Sequence, residues 1–270
     1  MLKQRIITAM VLAPLALFGV FGLPFSSFVF LMDAVILLAA WEWANLAGFQ
    51  KLGAKLVYVC LVAVVVGLCH YQHQNIDVFY VFSLAVAFWF VALFWVYRFP
   101  RVSSWGPVLV RGMIGFIVLL PCWFAFVEMK SVEQGDQLIL LLLLLVWGAD
   151  VGAYFAGKRF GRTKLAPSVS PGKTREGLYG GLVACLAVAV IYSFIAGVAS
   201  VSIFPLVIMA LLTGLISVLG DLFESMLKRH RGIKDSSQLL PGHGGVLDRI
   251  DSITAASPLF ILGMQYWVFV

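Results

Sequence analysis

Long apolar runs separated by short polar joints divide the chain into nine windows, at 6–23, 25–46, 56–70, 78–97, 108–127, 138–156, 178–198, 204–227 and 250–270. A helix that crosses a bilayer needs about 20 predominantly apolar residues, and only the window at 56–70 is clearly short of that. The first two windows meet at Pro24 and also read as one re-entrant unit, which leaves eight spans as the alternative count. The pattern predicts an all-α fold, a polytopic integral membrane protein of about nine transmembrane helices. Two long loops, 157–177 and 228–249, are rich in Gly, Lys and Arg. The first window lacks a small-x-small cleavage site and another apolar run follows at once, so it is expected to stay as an uncleaved helix.

Composition supports this picture. Of 270 residues 62% are hydrophobic and 12% charged, against about 25% charged in soluble domains. The four cysteines, Cys60, Cys69, Cys122 and Cys185, are scattered through apolar runs and suggest neither a disulfide framework nor a zinc site. The net charge of +6 raises the question of nucleic acid, but its placement answers it. With nine spans, 18 of the 19 Lys and Arg fall on the face that carries both long loops, and only Lys130 falls opposite. The excess of basic residues places that face in the cytoplasm, and no nucleic-acid partner is expected. No internal repeat or soluble domain is visible. Residues 1–137 read as scaffold helices with a candidate dimer surface, and 138–270 as the helices that carry the loops with chemistry.

Carboxylates stand where a membrane should exclude them. An ionised side chain at mid-bilayer costs about 2.5–3.5 kcal/mol on insertion scales, yet Asp150 ends the sixth window, Asp221 and Glu224 lie near the end of the eighth, and Asp248 and Asp251 open the ninth. The last two pairs are spaced i, i+3, on one helix face. Ion pairing with nearby Lys and Arg is one reading. The other is a divalent metal site, because Mg²⁺ takes one or two carboxylates plus substrate phosphates, and Gly-rich, basic loops hold phosphate oxygens. Asp248 also falls in a first helical turn, where the dipole favours an anion. His243, in PGHGG, has glycines on both sides that let a ligand approach. Glu42, between Trp41 and Trp43, reads as structural, Asp33 has no evident partner, and His70 and His73 read as a solvated outer loop.

The stretch 225–251, SMLKRHRGIKDSSQLLPGHGGVLDRID, resembles the signature of the phosphatidate cytidylyltransferases, also called CDP-diacylglycerol synthases. The matching positions are Ser225, Lys228, Arg229, Lys234, Asp235, Ser237, Pro241, His243, Gly244, Gly245, Asp248, Arg249 and Asp251. A second segment, GADVGAYFAGKRFGRTKLAPSVSPGKTREG, is similar to the family's other cytoplasmic segment through Asp150, Ser170, Pro171, Lys173, Thr174, Glu176 and Gly177, with Gly172 where a second lysine is frequent. The resemblance covers roughly 138 to the C-terminus. It implies that CTP and phosphatidate give CDP-diacylglycerol and pyrophosphate, with Mg²⁺ and a monovalent cation such as K⁺ as cofactors, in a homodimer of the bacterial cytoplasmic (inner) membrane. It also implies roles. Asp221, Asp248 and Asp251 would hold the metal, with Asp150 as an accessory ligand. Lys228, Arg229, Lys234 and Arg249 would neutralise phosphate, Arg249 alternatively only pairing with Asp248. Ser170, Lys173 and Thr174 would bind phosphate from the other loop, beside Gly244, Gly245 and His243. A transporter with an ion pathway is the competing class, but its site would favour the midplane and paired halves. A CDP-alcohol phosphotransferase would need D-x₂-D-G-x₂-A-R, which is absent.

Overall fold

The computed structural model describes residues 2–72, 76–102, 104–198 and 200–268, with the side chains of 2–9, 200 and 201 left aside. His73 lies outside the described residues. Nine α-helices follow one another among them: α1 (Leu2–Gly22), α2 (Phe25–Ala47), α3 (Leu52–Gln72), α4 (Val78–Arg98), α5 (Val108–Ser131), α6 (Gly135–Phe160), α7 (Arg175–Ile195), α8 (Ser200–His230) and α9 (Leu247–Gly263), the last running on into a π-helical turn, Met264–Val268. Helices α2 to α8 are each long and apolar enough to cross a membrane. The chain is an all-α, multi-pass membrane protein. Prolines lie inside α1, α5, α8 and α9, as membrane-spanning helices tolerate.

The structure changes three boundaries. The short third window lengthens to 21 residues, because α3 begins at Leu52 and takes in Lys55. The first long loop is no open loop. It folds into an antiparallel hairpin, β1 (Lys164–Ala166) and β2 (Ser170–Thr174), which runs straight into α7. Helix α8 spans 31 residues and carries Lys228, Arg229 and His230 as its last turn, where cations oppose the negative end of the helix dipole. They are helical residues and not part of the loop.

Small residues decide the closest helix pairs. A Cβ on Gly152 would stand 2.5 Å from the Gly180 carbonyl, and one on Gly181 2.8 Å from that of Ala149, so α6 and α7 touch backbone to backbone, the usual way helices associate in lipid. The same device joins α8 to α9 at Gly220, where a Cβ would meet the Asp251 carbonyl at 2.5 Å.

The C-terminal end of α2 is pinned. Gly48 adopts φ 106° and donates to the carbonyls of Ala44 and Asn45, closing the helix in the left-handed conformation that glycine accepts freely. Arg111 Nε of α5 donates to Ala47 O at 2.8 Å, and Arg231 Nε to Asn45 O at 3.2 Å. Arg111 also sits 2.8 Å from His230 Nε2, which stacks edge-on against Trp105. At the opposite end of the bundle Asp33 gains partners that its sequence neighbours do not supply. It accepts from Trp123 Nε1 at 2.8 Å and lies 3.2 Å from His70 Nε2. His70 belongs to α3 and to this pair, and not to a solvated loop.

Candidate active site

Helix α8 presents Asp221, Glu224 and Lys228 along one stripe, and α9 opposes it with Asp248 and Asp251. Gly220 lets the two backbones close, so that Asp221 is set beside the first turn of α9. The result is a cavity of about 250 Å³ lined by Asp150, Asp221, Lys228, Asp235, Asp248, Arg249, Asp251 and Ser252. Five carboxylates and two cations line it, so the cavity has a surplus of negative charge that a bound cation would offset.

Lys228 is the centre of the ion pairing. Its Nζ lies 2.7 Å from Asp248 Oδ1 and 3.4 Å from Glu224 Oε1, and both acids are almost completely buried. Asp248 does not pair with Arg249, the alternative open in the sequence. Lys228 takes that place, and Arg249 lines the cavity separately. The other oxygen of Asp248 is saturated. Oδ2 accepts from Ser236 N at 2.9 Å, Ser236 Oγ at 2.8 Å and Gly245 N at 2.7 Å. Asp251 Oδ1 accepts from Ser252 N at 2.6 Å, and Asp221 Oδ1 from Ser225 Oγ at 3.1 Å.

The hairpin delivers the second segment. Lys173 Nζ lies 2.6 Å from Asp221 Oδ2. Both residues also line an adjoining cavity of about 340 Å³, with Asp150, Tyr154, Lys158, Leu165, Thr174, Leu178 and Val218 among its walls. Polar groups dominate the first compartment, and the second mixes cations with aromatic and aliphatic side chains. Asp150 and Asp221 form the wall common to both. A larger cavity, about 660 Å³, opens at the far end of the bundle around Val132, Tyr192 and Ile261 and contains none of these groups.

Other expected residues take structural positions here. Thr174 is the N-cap of α7, its Oγ1 accepting from Gly177 N at 3.1 Å. Glu176 accepts from the backbone N–H groups of Arg162 and Thr163, which fixes the link from α6 to β1. Arg229 Nε donates to Val169 O at 3.2 Å and ties the hairpin turn to α8. Ser170 opens β2, paired with Ala166, and Lys234 is exposed. His243 donates its backbone N–H to Leu240 O, and its ring Nδ1 is buried without a partner among the described residues. Gly244, at φ 81°, would direct a Cβ to 2.6 Å from Asp248 Oδ2, and Gly245 would direct one to 2.5 Å from Glu42 Oε2. Both glycines are required by close packing on carboxylates.

Glu42 was not expected at the site. It reaches from α2 to the start of α9, where Oε1 accepts from Ser237 Oγ at 2.6 Å and Val246 N at 3.1 Å, and Oε2 from Leu247 N at 2.7 Å and Ser236 Oγ at 3.2 Å. Ser236 and Ser252 are further additions, and Glu224 and Asp235, singled out in the sequence without a role, take their places at the Lys228 pair and in the cavity wall. The available signal for Glu42 was a carboxylate in an apolar helix with no basic residue within one turn.

The carboxylates fit Mg²⁺ in donor chemistry. Among the described residues no three His, Cys, Asp or Glu side chains converge tightly enough to enclose an ion by themselves, and Mg²⁺ does not require that, since water and substrate phosphates complete its shell. Asp248 Oδ1, with a single hydrogen bond, keeps a lone pair for such a ligand, as do Asp221 and Asp251.

A sequence model described as the cytidylyltransferase family matches residues 3–267. The chain belongs to this family. It is an enzyme of the nucleotidyltransferase class. A phosphatidate cytidylyltransferase of Pseudomonas aeruginosa is 47% identical over 96% of each chain. One of Haemophilus influenzae is 39% identical over 96% of this chain and 97% of the relative, and one of Bacillus subtilis is 34% identical over 99% and 97%. The cytidylyltransferase match takes in α1 to α5 as well as the two signature segments, which the sequence alone related to the family only from 138 onward.

Gly220 offers a direct test of how the two acids are brought together. Gly220→Ala places a methyl group against the Asp251 carbonyl and Ala255, so α8 and α9 must separate at the level of Asp221. Overpacking of this kind costs about 1–3 kcal/mol. The expected result is a turnover lowered about tenfold or more and a reduced melting temperature, both read on purified protein in detergent.

Proposed function

We propose that the chain transfers CMP from CTP to phosphatidate, giving CDP-diacylglycerol and pyrophosphate, with the site facing the cytoplasm from a bacterial inner membrane. The names of the three relatives support the substrates. The Lys173–Asp221 pair at the wall between the two cavities carries the reading, because it joins the two signature segments at one place.

The reaction brings two polyanions together. The lipid phosphate attacks the α-phosphorus of CTP, one P–O bond forms, and the bond to pyrophosphate breaks. A phosphate monoester has a second pKa of about 6, so the nucleophile is already largely dianionic near neutral pH and needs no strong base. What remains is alignment and relief of repulsion. Lys228, oriented by Asp248 and Glu224, and Arg249 present positive charge inside the polar cavity. Lys173 and Lys158 do so in the mixed one, whose Tyr154, Leu178 and Val218 suit a lipid. Arg229 and Lys234 lie further out, toward arriving nucleotide. Asp221, Asp251 and Asp248 Oδ1 would hold Mg²⁺, with Asp150 behind them. Mg²⁺, when bound, neutralises phosphate oxygens as a Lewis acid.

Purified protein given labelled CTP and phosphatidate in mixed micelles is expected to form a labelled CDP-lipid, to stop on addition of EDTA and to resume with excess Mg²⁺. Activity undiminished by EDTA would remove the metal. Lipid or ion movement without CTP, and no CDP-lipid, would overturn the transfer itself.

A further inference from the structure

Glu42 comes from the N-terminal half of the chain, yet all four of its hydrogen-bond donors lie 194 to 205 residues away. It is 1% exposed. No cation is paired with it among the described residues. A buried carboxylate without a counter-ion is costly unless its lone pairs are filled, and here the Ser237 hydroxyl and two backbone N–H groups donate to it, while the single Ser236 hydroxyl proton is shared between it and Asp248.

The positions of those donors give the arrangement its meaning. Ser236 and Ser237 lie within the segment between α8 and α9, Val246 ends that segment, and Leu247 opens α9. One carboxylate therefore ties the middle of the segment to its junction with α9. Ser236 is shared, its Oγ lying 3.2 Å from Glu42 Oε2 and 2.8 Å from Asp248 Oδ2, while its backbone N–H serves Asp248 alone. Gly245 leaves no slack, because a Cβ there would be 2.1 Å from Ser236 Oγ and 2.5 Å from Glu42 Oε2. The chain of contacts runs from Glu42 through Ser236 to Asp248 and on to Lys228. Glu42 does not line the acidic cavity, and its contacts reach that cavity through Ser236 and Asp248.

We propose that Glu42 is a positioning residue. It clamps the segment between α8 and α9 so that Asp248, and through it Lys228, face the acidic cavity. The proposal rests on the CMP transfer described above.

The test compares wild type, Glu42→Gln and Ser237→Ala, each purified in detergent, by kcat, by KM for CTP, by melting temperature and by the rate of tryptic cleavage at the exposed Lys234. Glu42→Gln sets an amide N–H₂ against donors. It is expected to lower kcat about tenfold to a hundredfold, to leave KM for CTP within about threefold because binding groups are not removed, and to speed cleavage at Lys234 about tenfold. Ser237→Ala removes one of four bonds and is expected to lower kcat about threefold to tenfold. It decides the matter should Glu42→Gln not fold. Wild-type kcat in the folded variant, or lost activity with unchanged cleavage, overturns the clamp. If wild type itself makes no CDP-lipid, the transfer reading falls, and unchanged cleavage at Lys234 would then overturn the clamp separately while faster cleavage would uphold it.

Discussion

Asp248→Asn is expected to lower turnover about a thousandfold in protein that still folds and enters the membrane. Asparagine has nearly the same shape as aspartate, so packing at the start of α9 survives. Its single carbonyl oxygen will turn to the three donors that now hold Oδ2, from Ser236 and Gly245. That leaves the amide N–H₂ facing the Lys228 ammonium, where Oδ1 now accepts at 2.7 Å. Two donors then confront one another, and among the described residues Lys228 keeps the ion pair with Glu224 alone, at 3.4 Å. The ammonium loses its aim into the cavity, and one carboxylate is lost from the proposed Mg²⁺ shell. The check is the labelled-CTP assay beside a melting curve. A variant within tenfold of wild type would show that neither the pairing nor the ligand matters to the chemistry.

Much of this arrangement was readable in the chain. Apolar runs set the helices, because each is longer than a soluble core element needs. The carboxylates at 150, 221, 248 and 251 were conspicuous because a membrane helix has no ordinary use for them, and they do line one cavity. What stayed hidden depends on distant contacts. Thr174 reads as a phosphate ligand from its loop, and its second place, as the N-cap of α7 at the strand-to-helix junction, is not legible there. The hairpin at 164–174 is too short to show alternation. Gly244 and Gly245 read as letting a ligand approach beside His243, and that their freedom from Cβ atoms also accommodates Asp248 and Glu42 shows only in the fold. Glu42 resembled an interfacial acid beside two tryptophans, and its partners are folded against it from almost 200 residues away. Asp33 is the same lesson at the other end of the bundle, since Trp123 and His70 reach it only after α2, α3 and α5 pack.

Lys228→Met tests the other half of the central pair, and its combination with Asp248→Asn separates structure from chemistry. Methionine fills the volume of the lysine stem but leaves Glu224 and Asp248, 2% and 8% exposed, without their shared cation. Breaking one side of a buried pair costs about 3–5 kcal/mol, so the single variant is expected to melt lower and to lose turnover about a hundredfold or more. The double variant removes both charges. Its melting temperature should recover part of the loss, because the uncompensated Asp248 carboxylate is gone, giving a non-additive interaction of the size seen for residues in direct contact, about 0.5–3 kcal/mol. Turnover should not recover, because neither the phosphate-directed cation nor the carboxylate has been replaced. Recovery of stability without recovery of rate would show that the pair is held for catalysis at some expense to the fold. Additive losses in stability would show instead that Lys228 and Asp248 act independently, and the line of contacts from Glu42 would then end at Asp248.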